Sequence, residues 1–245
     1  MSNISLTIAY DGTELHGWQK SDMGPTVEAI LQETLEKIVR HPVTLQATSR
    51  TDAGVHAEGQ VVNFFLEKDL ELGQLQLSLN QLLPPAIAII NVECMPDSFH
   101  PTLDAKSKIY RYQVSVGTYQ MPMHRLYAWH FPYRVNVAKM REASRHLLGR
   151  HDFTAFTNVQ DQAPDNTVRE LYRIDFYENR GLLMIEIEGN RFLYRMVRNL
   201  VGTLLHIGCG KLEGDELPLI LRRRDRRFSG VTAPSHGLIL HKIHF

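Results

Sequence analysis

The chain has 245 residues, 43% of them apolar and 22% charged, the balance of a folded globular protein rather than a disordered one. No uninterrupted apolar run approaches the roughly 20 residues of a membrane span. The net charge is zero, but residues 1–100 carry 5 Lys+Arg against 13 Asp+Glu and residues 101–245 carry 22 against 14, a split that fits either a polyanion held by the basic half or two halves that attract each other.

The opening Met1-Ser2-Asn3-Ile4 has no basic segment leading into an apolar core, so it does not read as a secretory signal, and the cytoplasm is the expected compartment. Two cysteines far apart, Cys94 and Cys209, can build neither a disulfide framework nor a cysteine zinc site. Ser5 to Tyr10 alternates with period two and ends on the turn pair Asp11-Gly12. Thr26 is a candidate N-cap, followed at helical spacing by Val27, Ile30, Leu31, Thr34, Leu35, Ile38 and Val39, with Glu28 in the first turn and His41-Pro42 as the stop. Val43 to Ala47 and Gln60 to Phe65 read as strands around a glycine-bearing loop. Leu75 to Leu83 reads as a helix ended by Pro84-Pro85, and Ala86 to Val92 as a strand.

The second half echoes the first. Ile109 to Val116 is a strand with Tyr110, Tyr112, Val114 and Val116 on one face. Val137 to Leu148 is a helix, and Glu170 to Tyr177 with Leu182 to Glu188 forms a hairpin around Asn179-Arg180-Gly181. A long helix is expected from Arg191 to Ile207, another from Glu213 to Arg222, and a last strand from Leu238 to Ile243. The pattern is α+β: two ferredoxin-like βαββαβ halves, 1–103 and a basic 104–245.

Four stretches carry candidate chemistry. The loop Thr48 to Ala57 reads as a turn in which Asp52 accepts a backbone hydrogen bond and Gly54 takes positive φ. The turn is the first reading; the other is a seat for an ionised nucleophilic carboxylate beside the cation of Arg50. In the expected helix 191–207, Arg191, Tyr194, Arg195 and Arg198 fall on one stripe of an otherwise apolar surface. That stripe is either a solvated basic face or places an arginine opposite an acid. Arg222 to Arg227 holds five arginines in six residues, which suits a solvated helix end or phosphate binding. Tyr110 and Tyr112 alternate with Lys108 and Arg111, which suits a sheet core or the stacking of an unpaired base. The twelve histidines are scattered without metal-ligand spacing, and no phosphate-cradling or dinucleotide glycine pattern occurs.

Arg50-Thr51-Asp52-Ala53-Gly54-Val55-His56-Ala57 resembles the signature loop of the tRNA pseudouridine synthase A family. Further matches follow in family order: Tyr10-Asp11-Gly12-Thr13 with Gly17-Trp18-Gln19, Gly59-Gln60-Val61-Val62 with Phe64, Phe99-His100, and Tyr110-Arg111-Tyr112. Then come Gly149 with Asp152-Phe153, Phe192-Leu193 with Met196-Val197-Arg198, Val201-Gly202, and Thr232-Ala233-Pro234 with Gly237-Leu238. The resemblance spans nearly the whole chain. It implies two ferredoxin-like halves sharing a mixed, mainly antiparallel sheet with helices on one side and a central cleft. It also implies a homodimer without metal or cofactor, acting on uridines 38, 39 and 40 in the anticodon arm of tRNA. By the same resemblance Asp52 is the catalytic aspartate and Arg198 its carboxylate partner. Tyr110 stacks on the uracil and is a candidate for proton transfer, Arg50 helps displace the base and contacts the RNA, and Leu238 walls the base pocket. The chain departs from the family at Ser49 (usually glycine), Leu15 (usually aromatic) and Thr102-Leu103 (usually arginine and an aromatic).

Overall fold

The computed structural model describes residues 1–67, 70–158, 166–179 and 181–245. They form two compact units, residues 1–106 with 239–245, and residues 107–238.

The first unit begins with β1 (Ser2–Tyr10), whose alternation buries Ile4, Leu6, Ile8 and Tyr10 on one face. Helix α1 (Val27–Val39) starts where the sequence places it, because Thr26 Oγ1 accepts from Ala29 N. It buries Val27, Leu31, Leu35 and Val39, and it ends as Arg40 turns left-handed (φ 60°) just before His41-Pro42. Strand β2 is only Gln46–Ala47, shorter than expected, whereas β3 (His56–Leu66) is longer. Helix α2 (Leu72–Leu82) starts three residues before Leu75, since the Glu71 carboxylate caps it by accepting from Gly73 N (2.9 Å) and Gln74 N (2.6 Å). It stops before Pro84-Pro85 and leads into β4 (Ile87–Met95). β1 lies between β4 and β3, antiparallel to both, and β2 pairs antiparallel with β3 at Asn63 and Val62. This is the βαββαβ arrangement expected of a ferredoxin-like unit.

The second unit contains β5 (Ser107–Val116), β6 (Trp129–Phe131), α3 (Val137–Ser144), β7 (Gly149–Asp152), β8 (Val168–Asn179), β9 (Leu182–Gly189), α4 (Met196–Gly208) and α5 (Leu217–Arg223). Strands run in the order β5-β9-β8-β7, each neighbour antiparallel, with β6 parallel to β5. The β8–β9 hairpin is as expected, although Arg180 of its turn lies outside the described residues. The expected helix 137–148 changes to a 3-10 turn at 145–147, and α5 follows a 3-10 turn at 214–216 closed by a Glu213/Glu216 capping box. A last strand, β10 (Leu238–His244), runs back into the first unit, where Ile239 and Leu240 pair in parallel with His56 and Ala57 of β3.

One expectation fails here. The helix predicted from Arg191 begins only at Met196. Arg195 is left-handed (φ 56°), and Asn190 Oδ1 takes the Arg191 N–H at 2.7 Å. Phe192 meets the Tyr110 ring edge-on, centroids 5.1 Å apart, and Leu193 is buried. Tertiary contact thus overrides a helical spacing that is present in the sequence. The stripe of Arg191, Tyr194, Arg195 and Arg198 does not exist, because only Arg198 is on the helix. The expected burial of α4 is real: all of its residues except Arg198 and His206 are buried. Among the described residues no helix is long and apolar enough to cross a membrane.

Candidate active site

In the first unit, the Thr48–Ala57 loop is held by main-chain and side-chain hydrogen bonds together. Thr48 N donates to Val61 O at 2.9 Å. The fully buried Gln60 side chain brackets Ser49, accepting from its N (3.2 Å) and donating to its O (2.5 Å). Tyr10 OH meets Thr51 Oγ1 at 2.8 Å, and Trp18 N donates to Thr51 O at 3.0 Å. Gly54 N donates to Leu15 O (3.2 Å), Val55 N to Asp52 O (3.1 Å), and Gly12 N to His56 Nδ1 (3.0 Å). The segment Tyr10–Trp18 and the Asp52 loop therefore form one interlocked structure. Two glycines permit the approach. A Cβ on Gly12 would lie 2.1 Å from Val55 O, and one on Gly17 (φ 89°) would lie 2.6 Å from Thr51 O. Gly54 takes positive φ (76°), as the turn reading expects. Thr51 and Val55 are buried, Asp52 between them is half-buried, and Arg50 is exposed.

In the second unit, Tyr110 and Tyr112 are both buried on β5. The Tyr110 ring is braced by Phe192 at an interplanar angle of 83°. Tyr112 is a core residue: its hydroxyl donates to Pro234 O at 2.7 Å, and Gly237 leaves room for its ring. Arg111 lies across the ladder from Glu186, with Nε and Nη2 both near Oε1 (3.0 and 2.9 Å), so it is engaged in the sheet rather than offered as a phosphate ligand. Lys108 is buried, and burial together with the nearby Arg191 charge lowers its ammonium pKa to about 8. Arg198, in the first turn of α4, is gripped at both ends by one residue: Nε donates to Ala233 O at 2.7 Å, and its carbonyl accepts from Ala233 N at 3.2 Å. Leu238 is buried where β10 begins.

The arginine-rich segment divides. Arg222, Arg223, Arg224 and Arg227 are exposed. Arg223 stacks over Phe228 at 4.3 Å, Arg224 reaches Asp152 at 3.0 Å, and Arg227 pairs with Asp225 at 2.6 Å. Arg226 alone turns inward, toward Asn199 on α4 (2.9 Å). Nothing in the sequence distinguishes it from its four neighbours. Among the described residues, no group of three His, Cys, Asp or Glu side chains could hold a metal ion.

The family of tRNA pseudouridine synthases matches residues 6–104 and 143–245, which include both the Asp52 loop and α4. The chain belongs to the tRNA pseudouridine synthase family. It is 47% identical over 246 residues to tRNA pseudouridine synthase A 2 of Protochlamydia amoebophila (strain UWE25), covering 99% of this chain and 94% of that protein. It is 41% identical to tRNA pseudouridine synthase A of Thermoanaerobacter sp. (strain X514), covering 99% of each chain. The corresponding protein of Bacillus pumilus (strain SAFR-032) is 40% identical, covering 99% of this chain and 98% of that one. Membership makes the chain an isomerase acting on tRNA. Three of the departures noted in the sequence make local contacts in this pseudouridine synthase, while Leu103 is exposed. Ser49 sits in the Gln60 bracket through its main chain, Leu15 is buried with its carbonyl bonded to Gly54 N, and Thr102 Oγ1 donates to Ala47 O at 2.8 Å.

Proposed function

We propose that this enzyme converts uridines 38, 39 and 40 of the tRNA anticodon arm to pseudouridine, with Asp52 as the nucleophile. The target must first leave the base stack, and the exposed Arg50 is the residue suited to displace it and hold the backbone. Uracil is then detached from ribose, rotated, and rejoined through C5. The Asp52 carboxylate acts either by attack on C1′ or by assisting formation of a glycal. Arg198 serves as its cationic partner, since a neighbouring guanidinium favours the ionised carboxylate. Tyr110 stacks on the detached uracil, its ring held by Phe192, and is the group available to take the C5 proton. Leu238 contributes an apolar wall to the base pocket. The enzyme works as a cytoplasmic homodimer and needs no metal or cofactor.

The observation that carries this reading is the seat of Asp52: a half-open carboxylate on a loop whose flanking residues are buried and bonded through main chain. The test is pseudouridine mapping of bulk tRNA incubated with wild-type protein and with Asp52→Ala. Anticodon-arm signal from wild type alone is the expected result. Signal elsewhere overturns the site choice. Equal signal from both proteins overturns the role of Asp52. Release of free uracil would make the reaction a glycosidic cleavage instead, and tight tRNA binding without product would leave a silent RNA-binding module.

A further inference from the structure

We infer that Arg226 is a positioning residue for Arg198: it clamps the Ser229–Ala233 segment onto α4 through Asn199 and Thr232, and so sets where the Arg198 guanidinium lies. The inference rests on the role given to Arg198 above.

Helix α4 buries two polar side chains, Asn199 and Thr203, both fully inaccessible. Such groups are tolerated only when their hydrogen bonds are made. Thr203 Oγ1 donates to Asn199 O (2.7 Å) and accepts from Gly230 N (2.8 Å). Asn199 Nδ2 donates to Phe156 O (2.8 Å) and Asn158 Oδ1 (2.9 Å). Its Oδ1 accepts from Thr232 Oγ1 (2.7 Å) and Arg226 Nη2 (2.9 Å). Arg226 Nη2 also donates to Thr232 Oγ1 (2.8 Å), while Nη1 donates to Ser229 Oγ and Gly230 O (2.7 Å each). The guanidinium thus joins α4 to three residues of the segment through neutral acceptors.

A cation held this way is weak evidence for stability and better evidence for a fixed geometry. Two glycines remove any slack. A Cβ on Gly202 would lie 1.8 Å from Val231 O, and one on Gly230 would lie 2.6 Å from Thr203 Cα. The residue after Thr232 is Ala233, which grips Arg198 by both Nε and carbonyl. One residue of chain therefore separates the clamp from the group it positions.

The test compares Arg226→Met, Thr232→Val, Arg198→Met and the two doubles with Arg198→Met, by single-turnover rate at saturating enzyme and by tRNA affinity across salt concentrations. A misplacement of about 1 Å costs on the order of 100-fold in rate, so Arg226→Met should slow turnover by about 10- to 100-fold and Thr232→Val by less. Both should leave the salt slope unchanged, whereas loss of a phosphate contact would lower it by about 1. In the Arg198→Met background both substitutions should have no further effect. A lowered slope with an unchanged rate, or rate losses that multiply with Arg198→Met, overturns the inference. If Arg226→Met does not fold by circular dichroism, Thr232→Val, which removes one hydroxyl, carries the same test. An Arg198→Met enzyme as fast as wild type refutes the role given to Arg198 and removes the basis of the clamp. A slow Arg198→Met beside a fast, folded Arg226→Met refutes the clamp alone.

Discussion

Gly12→Ala tests whether the interlock of the opening segment with the Asp52 loop is what makes the loop competent. The added Cβ would stand 2.1 Å from Val55 O and 2.7 Å from Val55 C. A carbon ordinarily approaches a carbonyl oxygen no closer than about 3.3 Å, so the two backbones must part by about 1.2 Å. Val55 closes the turn on Asp52 O, and Gly12 N bonds to His56 on the far side of the same turn. The displacement is therefore passed to Asp52 rather than absorbed by a flexible side chain. Overpacking of this kind costs about 2 kcal/mol, or a melting temperature lower by about 4–8 °C for a protein of this size. A shift of about 1 Å in a reacting group costs on the order of 100-fold in rate. The assay is single-turnover tritium release from tRNA labelled at uridine C5, with enzyme in excess and well below the variant's melting temperature. The expected result is a drop of about 100-fold with tRNA affinity within about twofold of wild type. A folded Gly12→Ala protein within about threefold of the wild-type rate would refute the dependence of Asp52 on this contact.

Asp152 is partly buried, which raises its pKa, but bonds from Thr154 and Thr167 and the Arg224 charge outweigh this and leave it lowered. Its contribution to stability is thus present at neutral pH and lost as pH falls through the lowered folded value, beneath the usual carboxylate pKa of about 3.9. Asp152→Asn should melt below wild type at pH 7, with the gap narrowing in acid; a gap constant down to pH 2 would contradict this. Tyr112→Phe removes the bond to Pro234 O and should cost about 1 kcal/mol, read as a melting shift of about 2–4 °C. Burial pushes the Tyr112 phenol well up, so wild type and variant should show equal phenolate absorbance up to about pH 11; an unequal count would place Tyr112 in solvent. Replacing the exposed Arg222, Arg223 and Arg224 together should flatten the salt dependence of tRNA binding, and an unchanged slope would show that this surface faces away from RNA.

The fold was legible where periodicity and punctuation agreed. α1 is read residue for residue because helical spacing, Thr26 and His41-Pro42 mark the same boundaries, whereas β1 ends at Tyr10 as expected but begins at Ser2, three residues before the expected start. The short strands β6 and β7 were not expected at all, and three further features escaped for reasons the structure shows. The start of α2 depends on a Glu71 cap, and glutamate is not among the preferred capping residues. The start of α4 depends on Phe192 reaching Tyr110, a contact across 82 positions of sequence that leaves no trace in the local pattern. Arg226 differs from Arg222–Arg224 and Arg227 only in what surrounds it. The family was legible for a different reason: ordered motifs identify it, whereas the residues alone favoured Asp52 as a turn former over a nucleophile, and the roles given to the site residues rest on the resemblance.

Glycines in and beside those motifs bring backbone segments into close contact. Gly12 and Gly17 let Tyr10–Trp18 lie against Thr51–Val55, and Gly202 and Gly230 let the 229–233 segment lie against α4. In both units the residue assigned to the chemistry, Asp52 or Arg198, stands within four residues of a backbone-to-backbone contact that no side chain could enter. Contacts of this kind have no side-chain rotamers to relax, so they limit how far the neighbouring residue can shift. They also predict where the sequence is free to vary. Ser49 is held through its amide and carbonyl by Gln60, and Leu15 offers its carbonyl to Gly54. At both positions the bond is made by main chain, so a different side chain would leave it in place.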